Sequence, residues 1–252
     1  MDSPSLFLIV PGFGTPNVSH KLDILRSNIA KIRAFPWSKF HAVVCVYDDT
    51  EIPDDLVMDE HITWQRCRGI VGQFIKTYAP LSIATNYDFV MVILDDIELQ
   101  PDFNIPQLLR LHNTFRMDIY SPSLTLDSKF QFQYMLTQPN GNYTAKVTSA
   151  CEAFCYFMPY KSYAAWYAQV DGTLNPWLWG LDMCLWKCIG LRPMVLNCMT
   201  MRHYYKNESY AQRPDADPQK GYNSVLEKFS VTTQELADQQ AVRYYITEPL
   251  AI

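Results

Sequence analysis

Val90-Met91-Val92-Ile93-Leu94-Asp95-Asp96-Ile97-Glu98-Leu99-Gln100-Pro101-Asp102-Phe103 is a continuous apolar run that ends abruptly in acids. Residues 87–94 have the length and β-branched content of a strand buried on both faces. Three carboxylates within the next four residues are costly to desolvate unless a cation meets them. Such a cluster at a strand end suggests a divalent metal held by one or two carboxylates together with substrate phosphates. The alternative is a strand end with solvated acids and a cap for the next element.

Working outward, residues 6–10 form a first apolar strand, and Pro11-Gly12-Phe13-Gly14-Thr15-Pro16 is its turn. Residues 22–32 place apolar side chains at 22, 25, 29 and 32, which is helical spacing. Residues 41–47 form a second strand that runs into Asp48-Asp49, and residues 69–78 form a helix. Strand, helix, strand, helix, strand is the signature of a parallel α/β sheet. Ligands of such sheets sit beyond the carboxyl ends of the strands, so the 11–16 turn, Asp48-Asp49 and Asp95-Asp96 are expected on one edge.

After Pro101 the pattern becomes mixed. A helix is expected over 105–112 and strands over 117–120, 153–158 and 193–196. Residues 131–136 and 143–148 flank Pro139-Asn140-Gly141-Asn142, the pattern of a hairpin. Helices are expected over 162–170 and 181–188. Residues 207–222 read as a polar, proline-interrupted loop. Thr232-x-x-Glu235 is a capping box for a last helix reaching about Tyr245. No low-complexity linker interrupts the chain. The expected organisation is one domain over 1–252, with a nucleotide-binding half at 1–103, an acceptor and catalytic half at 104–205 and an extension at 206–252.

The chain has 252 residues, 48% hydrophobic and 19% charged, which is ample for a packed core. A net charge of −5 argues against a general nucleic-acid binder. Sixteen Tyr and six Trp offer rings with polar tips that suit carbohydrate or nucleotide surfaces. No apolar run is long enough to span a membrane, and the acidic start Met1-Asp2-Ser3-Pro4 does not read as a signal peptide. The expected location is the cytoplasm, so the sequons at Asn17, Asn142 and Asn207 take no role. Seven cysteines without zinc-finger spacing fit reduced thiols.

The string Leu94-Asp95-Asp96-Ile97-Glu98-Leu99-Gln100-Pro101-Asp102-Phe103 resembles the acidic segment of Golgi N-acetylglucosaminyltransferases. More widely it is similar to the D-x-D region of glycosyltransferases of the GT-A fold. Leu94 stands where the Golgi family has Glu. The resemblance implies an α/β fold of GT-A type, with a mostly parallel, Rossmann-like half and a mixed acceptor-binding half. It implies a Mn²⁺ (or Mg²⁺) cofactor on Asp96, with Asp95 facing the ribose or sugar. Glu98 becomes a further metal ligand if the motif is read as Asp96-Ile97-Glu98. GT-A enzymes also carry a late His on the metal, a role that falls to His203, with Arg202 beside it facing the leaving diphosphate.

Trp177-Leu178-Trp179-Gly180-Leu181-Asp182 is similar to the region where inverting GT-A enzymes place the acid that deprotonates the acceptor. Trp179-Gly180-Leu181-Asp182, with Tyr120-Ser121-Pro122-Ser123 and Glu152 upstream, also resembles an uncharacterised glycosyltransferase-related family. Asp182 is the expected base, since a carboxylate within reach of the acceptor hydroxyl can take its proton, or it is a helix N-cap. Trp177 and Trp179 offer faces for a sugar ring, whereas Tyr163, Trp166 and Tyr167 have the spacing of a core stripe. Glu152 joins the acceptor wall and is the next candidate base. Asp48 or Asp49 would accept from uridine or ribose, or merely form a turn. Arg66 and Arg68, at the start of a helix beside Gly69, would reach the diphosphate or equally be solvated. Gly12 and Thr15 would approach the nucleotide.

These residues together imply a metal-dependent, inverting hexosyl- or pentosyltransferase taking a nucleotide-sugar, UDP-linked first, and a carbohydrate acceptor. A sugar-nucleotide nucleotidyltransferase would carry basic residues in the first loop, which Pro11–Pro16 lacks. A non-catalytic carbohydrate-binding protein on the same fold is the remaining alternative.

Overall fold

The computed structural model of the protein describes residues 3–139, 141–204, 217–237 and 242–247. Four parallel strands open the chain: β1 (Ser5–Phe13), β2 (Lys39–Val46), β3 (Ile62–Arg66) and β4 (Phe89–Ile93). They lie in the order β3-β2-β1-β4, because each returns through a helical crossover. The crossovers are α1 (Val18–Arg33), α2 (Asp54–Val57), and α3 (Val71–Tyr78) with α4 (Leu81–Ala84). Leu6–Val10, Ala42–Val46 and Val90–Ile93 are all buried, as expected for strands covered on both faces.

The second half continues the sheet. β5 (Ile97–Leu99), α5 (Ile105–Phe115), β6 (Ile119–Leu124), β7 (Ala145–Thr148), β8 (Cys155–Pro159), α6 (Tyr160–Tyr167) and β9 (Pro193–His203) follow in turn. The extension adds α7 (Pro218–Phe229), α8 (Thr233–Ala237) and β10 (Val242–Ile246). The ten-stranded order is β10-β7-β9-β6-β8-β4-β1-β2-β3, with β5 pairing onto β9. The pairings run β1, β2, β3, β4, β6, β9 and β10 in one direction and β5, β7 and β8 in the other. The carboxyl ends of β1, β2, β4 and β9 therefore share one edge. The result is an α/β fold whose first half is a parallel Rossmann-like sheet and whose second half is mixed.

Several expectations are corrected. β3 was not anticipated: Ile62-Thr63-Trp64-Gln65-Arg66 is a short edge strand with a single buried residue, so no apolar run announces it. Residues 131–136 do not form a hairpin with 143–148; Gln133–Met135 is a 3₁₀ turn. β7 pairs instead with β9 and β10 on its two sides, because a central position buries it better than an isolated hairpin would. Asn140 lies outside the described residues.

Residues 181–184 are turns, followed by a single π turn at Leu185–Ile189 rather than a helix over 181–188. Leu178 and Gly180 both have positive φ, and such a backbone cannot feed directly into an α-helix. The last helix is described over Thr233–Ala237 and does not reach Tyr245; Val242-Arg243-Tyr244-Tyr245-Ile246, aromatic and β-branched, is a strand. Residues 218–222 open α7 rather than a loop. Pro218 is its first residue, where a missing N–H costs nothing, and the Asp217 carboxylate accepts from Gln219 N–H at 2.9 Å. The rest of that expected loop, 207–216, lies outside the described residues apart from its junction at Asp217. β9 is longer than the expected 193–196. Its register against β6 shifts after Leu196, and the extra length carries His203 to the acidic edge. All seven cysteines are free thiols.

Candidate active site

The first wall of the site is the turn after β1. The Asp48 carboxylate at the end of β2 accepts from both the N–H and the hydroxyl of Thr15, each at 2.7 Å, and from Thr50 N–H at 3.0 Å. Partial burial would raise its pKa, but the hydrogen bonds from Thr50 and Thr15 outweigh it and bring the group to about 2. Asp48 is thus a fixed anion that pins the turn. A Cβ on Gly14 would lie 2.8 Å from that carboxylate, so only glycine fits there. Gly12 has φ +101° and its face lies against the Phe74 ring. Asp49 is exposed beside Asp48. Arg66, also exposed, reaches the Asp48 carbonyl at 3.5 Å, and Arg68 is exposed.

Asp95 lies behind this turn and is held by a residue that sequence reasoning missed. Lys21 of α1, 7% exposed, places its Nζ 2.7 Å from Asp95 Oδ2 and donates to the Gly14 carbonyl at 2.9 Å. Burial and the neighbouring Asp96 push the Asp95 carboxyl upward against the pull of Lys21. One turn pair further along α1, the buried Asn28 clasps β5, donating to Ile97 O at 2.7 Å and accepting from Leu99 N–H at 2.9 Å. Lys21 and Asn28 are seven residues apart on the buried face of α1. Polar residues in that apolar stripe were the available signal.

Asp96 and His203 meet at the centre. Both are buried, and His203 Nε2 lies 3.2 Å from Asp96 Oδ2. The other ring nitrogen, Nδ1, lies 2.8 Å from the Lys129 carbonyl. That carbonyl can only accept, so Nδ1 carries a proton, and Nε2 reaches the Asp96 carboxylate as a donor when the ring is protonated. Burial would lower the His203 pKa, but hydrogen bonding to Asp96 prevails and raises it. A divalent cation bound by Asp96 and His203 would take the place of that Nε2 proton. Phe154 packs on the His203 ring, centroids 4.3 Å apart.

Glu98 does not join this pair. Its carboxylate accepts from Tyr204 and from the Gln100 amide at 3.1 Å, and no group of three potential metal-ligating side chains occurs among the described residues. Arg202 pairs with Asp127 at 2.7 Å.

Beyond His203 the acids continue. Glu152, 2% exposed, accepts from Gln131 N–H at 2.6 Å and Phe132 N–H at 3.4 Å. Burial is the main cause that pushes it up to about 8; the Gln131 N–H opposes this, and Asp182 adds to it. Asp182, partly accessible to water, is pushed up to about 7 by desolvation, against the Met183 N–H beside it. Its turn is built on close contacts. Asn175 exchanges hydrogen bonds with the Trp179 backbone at 2.9 and 3.0 Å, Gly72 N–H donates to Pro176 O at 2.7 Å, and a Cβ on Gly180 would strike the Tyr222 ring of α7. Trp177 is half-buried and Trp179 is 39% exposed, whereas Tyr163 and Trp166 are buried in the core.

This architecture has known counterparts among solved structures. GalNAc-T7, crystallised with UDP, GalNAc and Mn²⁺, superposes on 93% of this chain with a TM-score of 0.64 at 12% identity. The fold is that of the GT-A glycosyltransferases. The chain spans about half the length of GalNAc-T7, 50% of which is covered. A candidate nucleotide-diphospho-sugar transferase from Desulfovibrio desulfuricans G20 (11% identity, TM-score 0.46, 94% of this chain and 98% of that one) and the A197 protein from STIV (11%, 0.44, 81% and 86%) are more distant. No family model and no curated protein sequence matches the chain. Within the GT-A frame the acids of β4 and the end of β9 lie on one edge, and the turn bearing Asp182 is a separate wall. Among the described residues no helix is long and apolar enough to cross a membrane.

Proposed function

We propose that the protein is a metal-dependent, inverting glycosyltransferase that moves a hexosyl or pentosyl unit from a nucleotide-sugar, UDP-linked first, to a carbohydrate hydroxyl. The observation that carries this is the buried Asp96–His203 pair, 3.2 Å apart, with the ring oriented by the Lys129 carbonyl. Mn²⁺ or Mg²⁺ bound by Asp96 and His203 would offset the charge that develops on the departing diphosphate. Two protein ligands suffice for such ions, which take much of their coordination from substrate phosphates and water. In this proposal residues 1–103 bind the donor and 104–205 the acceptor.

The chain's own groups divide the remaining work. Asp48, Thr15 and Gly12 form the turn against which the nucleoside lies, with Asp49 and Arg66 at its rim. Asp95, fixed by Lys21, faces the ribose or sugar. Asp182 takes the proton of the acceptor hydroxyl as its oxygen attacks the anomeric carbon from the face opposite the diphosphate. A pKa near 7 suits it, since a base is most effective when its pKa lies near the working pH. Trp177 and Trp179 flank the acceptor ring, and Glu152 lines the floor.

The test is binding of UDP with Mn²⁺, read as a thermal shift, together with turnover of UDP-sugars. Both should be lost in Asp96→Ala and in His203→Ala. Normal Mn²⁺-dependent turnover in either variant would remove the metal assignment. Absence of any UDP and Mn²⁺ shift in the wild-type protein would instead leave a non-catalytic carbohydrate-binding protein on this fold.

A further inference from the structure

The 131–136 segment, expected as one arm of a hairpin, does something else. Its 3₁₀ turn Gln133–Met135 packs beside β7 and, with β10, rims a hollow of about 490 Å³ lined by Gln131, Phe132, Gln133, Tyr134, Gln138 and Val242. The size suits a small ligand. Three side-chain amides, each able to donate and accept, stand around two stacked rings, with centroids 5.4 Å apart and an interplanar angle of 12°. Among the described residues no charged side chain lines it. Exposed amides around the partly exposed Tyr134 ring, with Phe132 buried behind it, match the hydroxyls and apolar face of a neutral sugar. A phosphate or carboxylate would find no cation among those lining side chains.

The hollow is joined to the acidic row. Gln131 and Phe132, two of its lining residues, give their N–H groups to Glu152. The Tyr134 hydroxyl donates to Ala150 O at 3.2 Å. Burial raises the Tyr134 pKa, and the charges of Asp182 and Glu152 raise it further. Ala150 precedes Cys151, whose N–H donates to Asp182 O at 3.3 Å, so residues 150–152 join the hollow to the turn of the proposed base.

We propose that this hollow binds a neutral sugar unit of the acceptor, one position along the chain from the unit whose hydroxyl reaches Asp182. The assignment to an acceptor rests on the transferase reading above; the chemistry of the hollow does not. The test is an NMR titration of the side-chain amide signals with maltotriose, cellotriose and chitotriose, with trigalacturonic acid as the anionic control. At least one neutral trisaccharide should shift the amide signals of Gln131, Gln133 or Gln138, and the anionic one should not. Gln133→Ala and Gln138→Ala, both exposed positions, should each weaken that binding roughly ten-fold, the cost of one lost hydrogen bond. Their UDP and Mn²⁺ thermal shifts should equal those of the wild type. Failure of all three neutral sugars, or affinity unchanged in both variants, would overturn the proposal. Sugar binding at these amides without a UDP shift would uphold the hollow as a carbohydrate site while the transferase reading fails.

Discussion

Asp182→Asn separates the electrostatics of the proposed base from its chemistry. Desolvation carries this carboxyl from 3.8 to about 7 in the folded protein. The folded state therefore holds the proton more tightly than the unfolded chain does. The group favours folding below about pH 4, loses that contribution as pH rises toward 7, and burdens the fold with a buried charge above it. One pH unit corresponds to about 1.4 kcal/mol, so the rise from 3.8 to about 7 sets a ceiling of about 4 kcal/mol on that burden. Asp182 is partly accessible to water, which reduces the expected burden to roughly 1–3 kcal/mol. Asn keeps the shape and cannot ionise. The variant should therefore be more stable than the wild type by that amount at pH 8 in urea denaturation and show no gain at pH 4. Sugar transfer should fall by about 10²–10⁴-fold, the usual contribution of a positioned base, while UDP binding stays. In the wild type, kcat/KM should rise ten-fold per pH unit below about 7 and level off above it. A variant that transfers sugar normally, or that is less stable than the wild type at pH 8, would refute the assignment.

Other consequences are as direct. Lys21→Met leaves Asp95 buried beside Asp96 without its cation, so stability should fall by about 3–5 kcal/mol. Adding Asp95→Asn should recover most of that loss in a double-mutant cycle, and strict additivity would deny the pairing. Asn28→Ala strands the buried Ile97 carbonyl and Leu99 N–H and should cost about 2–6 kcal/mol at roughly 1–3 per orphaned group; faster hydrogen exchange at Leu99 is the local readout. Gly14→Ala drives a methyl to within 2.8 Å of the Asp48 carboxylate, so UDP binding should weaken while the core, read by the urea slope, stays intact.

The fold of the first half was legible because burial on both faces leaves a strong pattern. Leu6–Val10, Ala42–Val46 and Val90–Ile93 are continuous apolar runs, and each ends at the edge where turns and acids gather. β3 escaped because an edge strand buries little. In the second half, local patterns misled. The 131–136 segment and residues 242–246 each adopted the structure that their neighbours in the sheet required, which no local window can contain.

The site divides in the same way. Sequence alone marked the acids after β4 and placed the first turn, Asp48 and Asp95-Asp96 at one edge, because strand direction follows from crossover connections. Only the tertiary structure could join Asp96 to His203, 107 residues away, since that contact depends on β9 running parallel to β4 with two strands between them and extending past its register shift. It alone set Lys21 against Asp95 and tied Glu98 to Tyr204. Strand identity is encoded locally by periodicity. Which charges face one another is decided by how separate elements pack, and the cost of burying a charge makes those pairings specific.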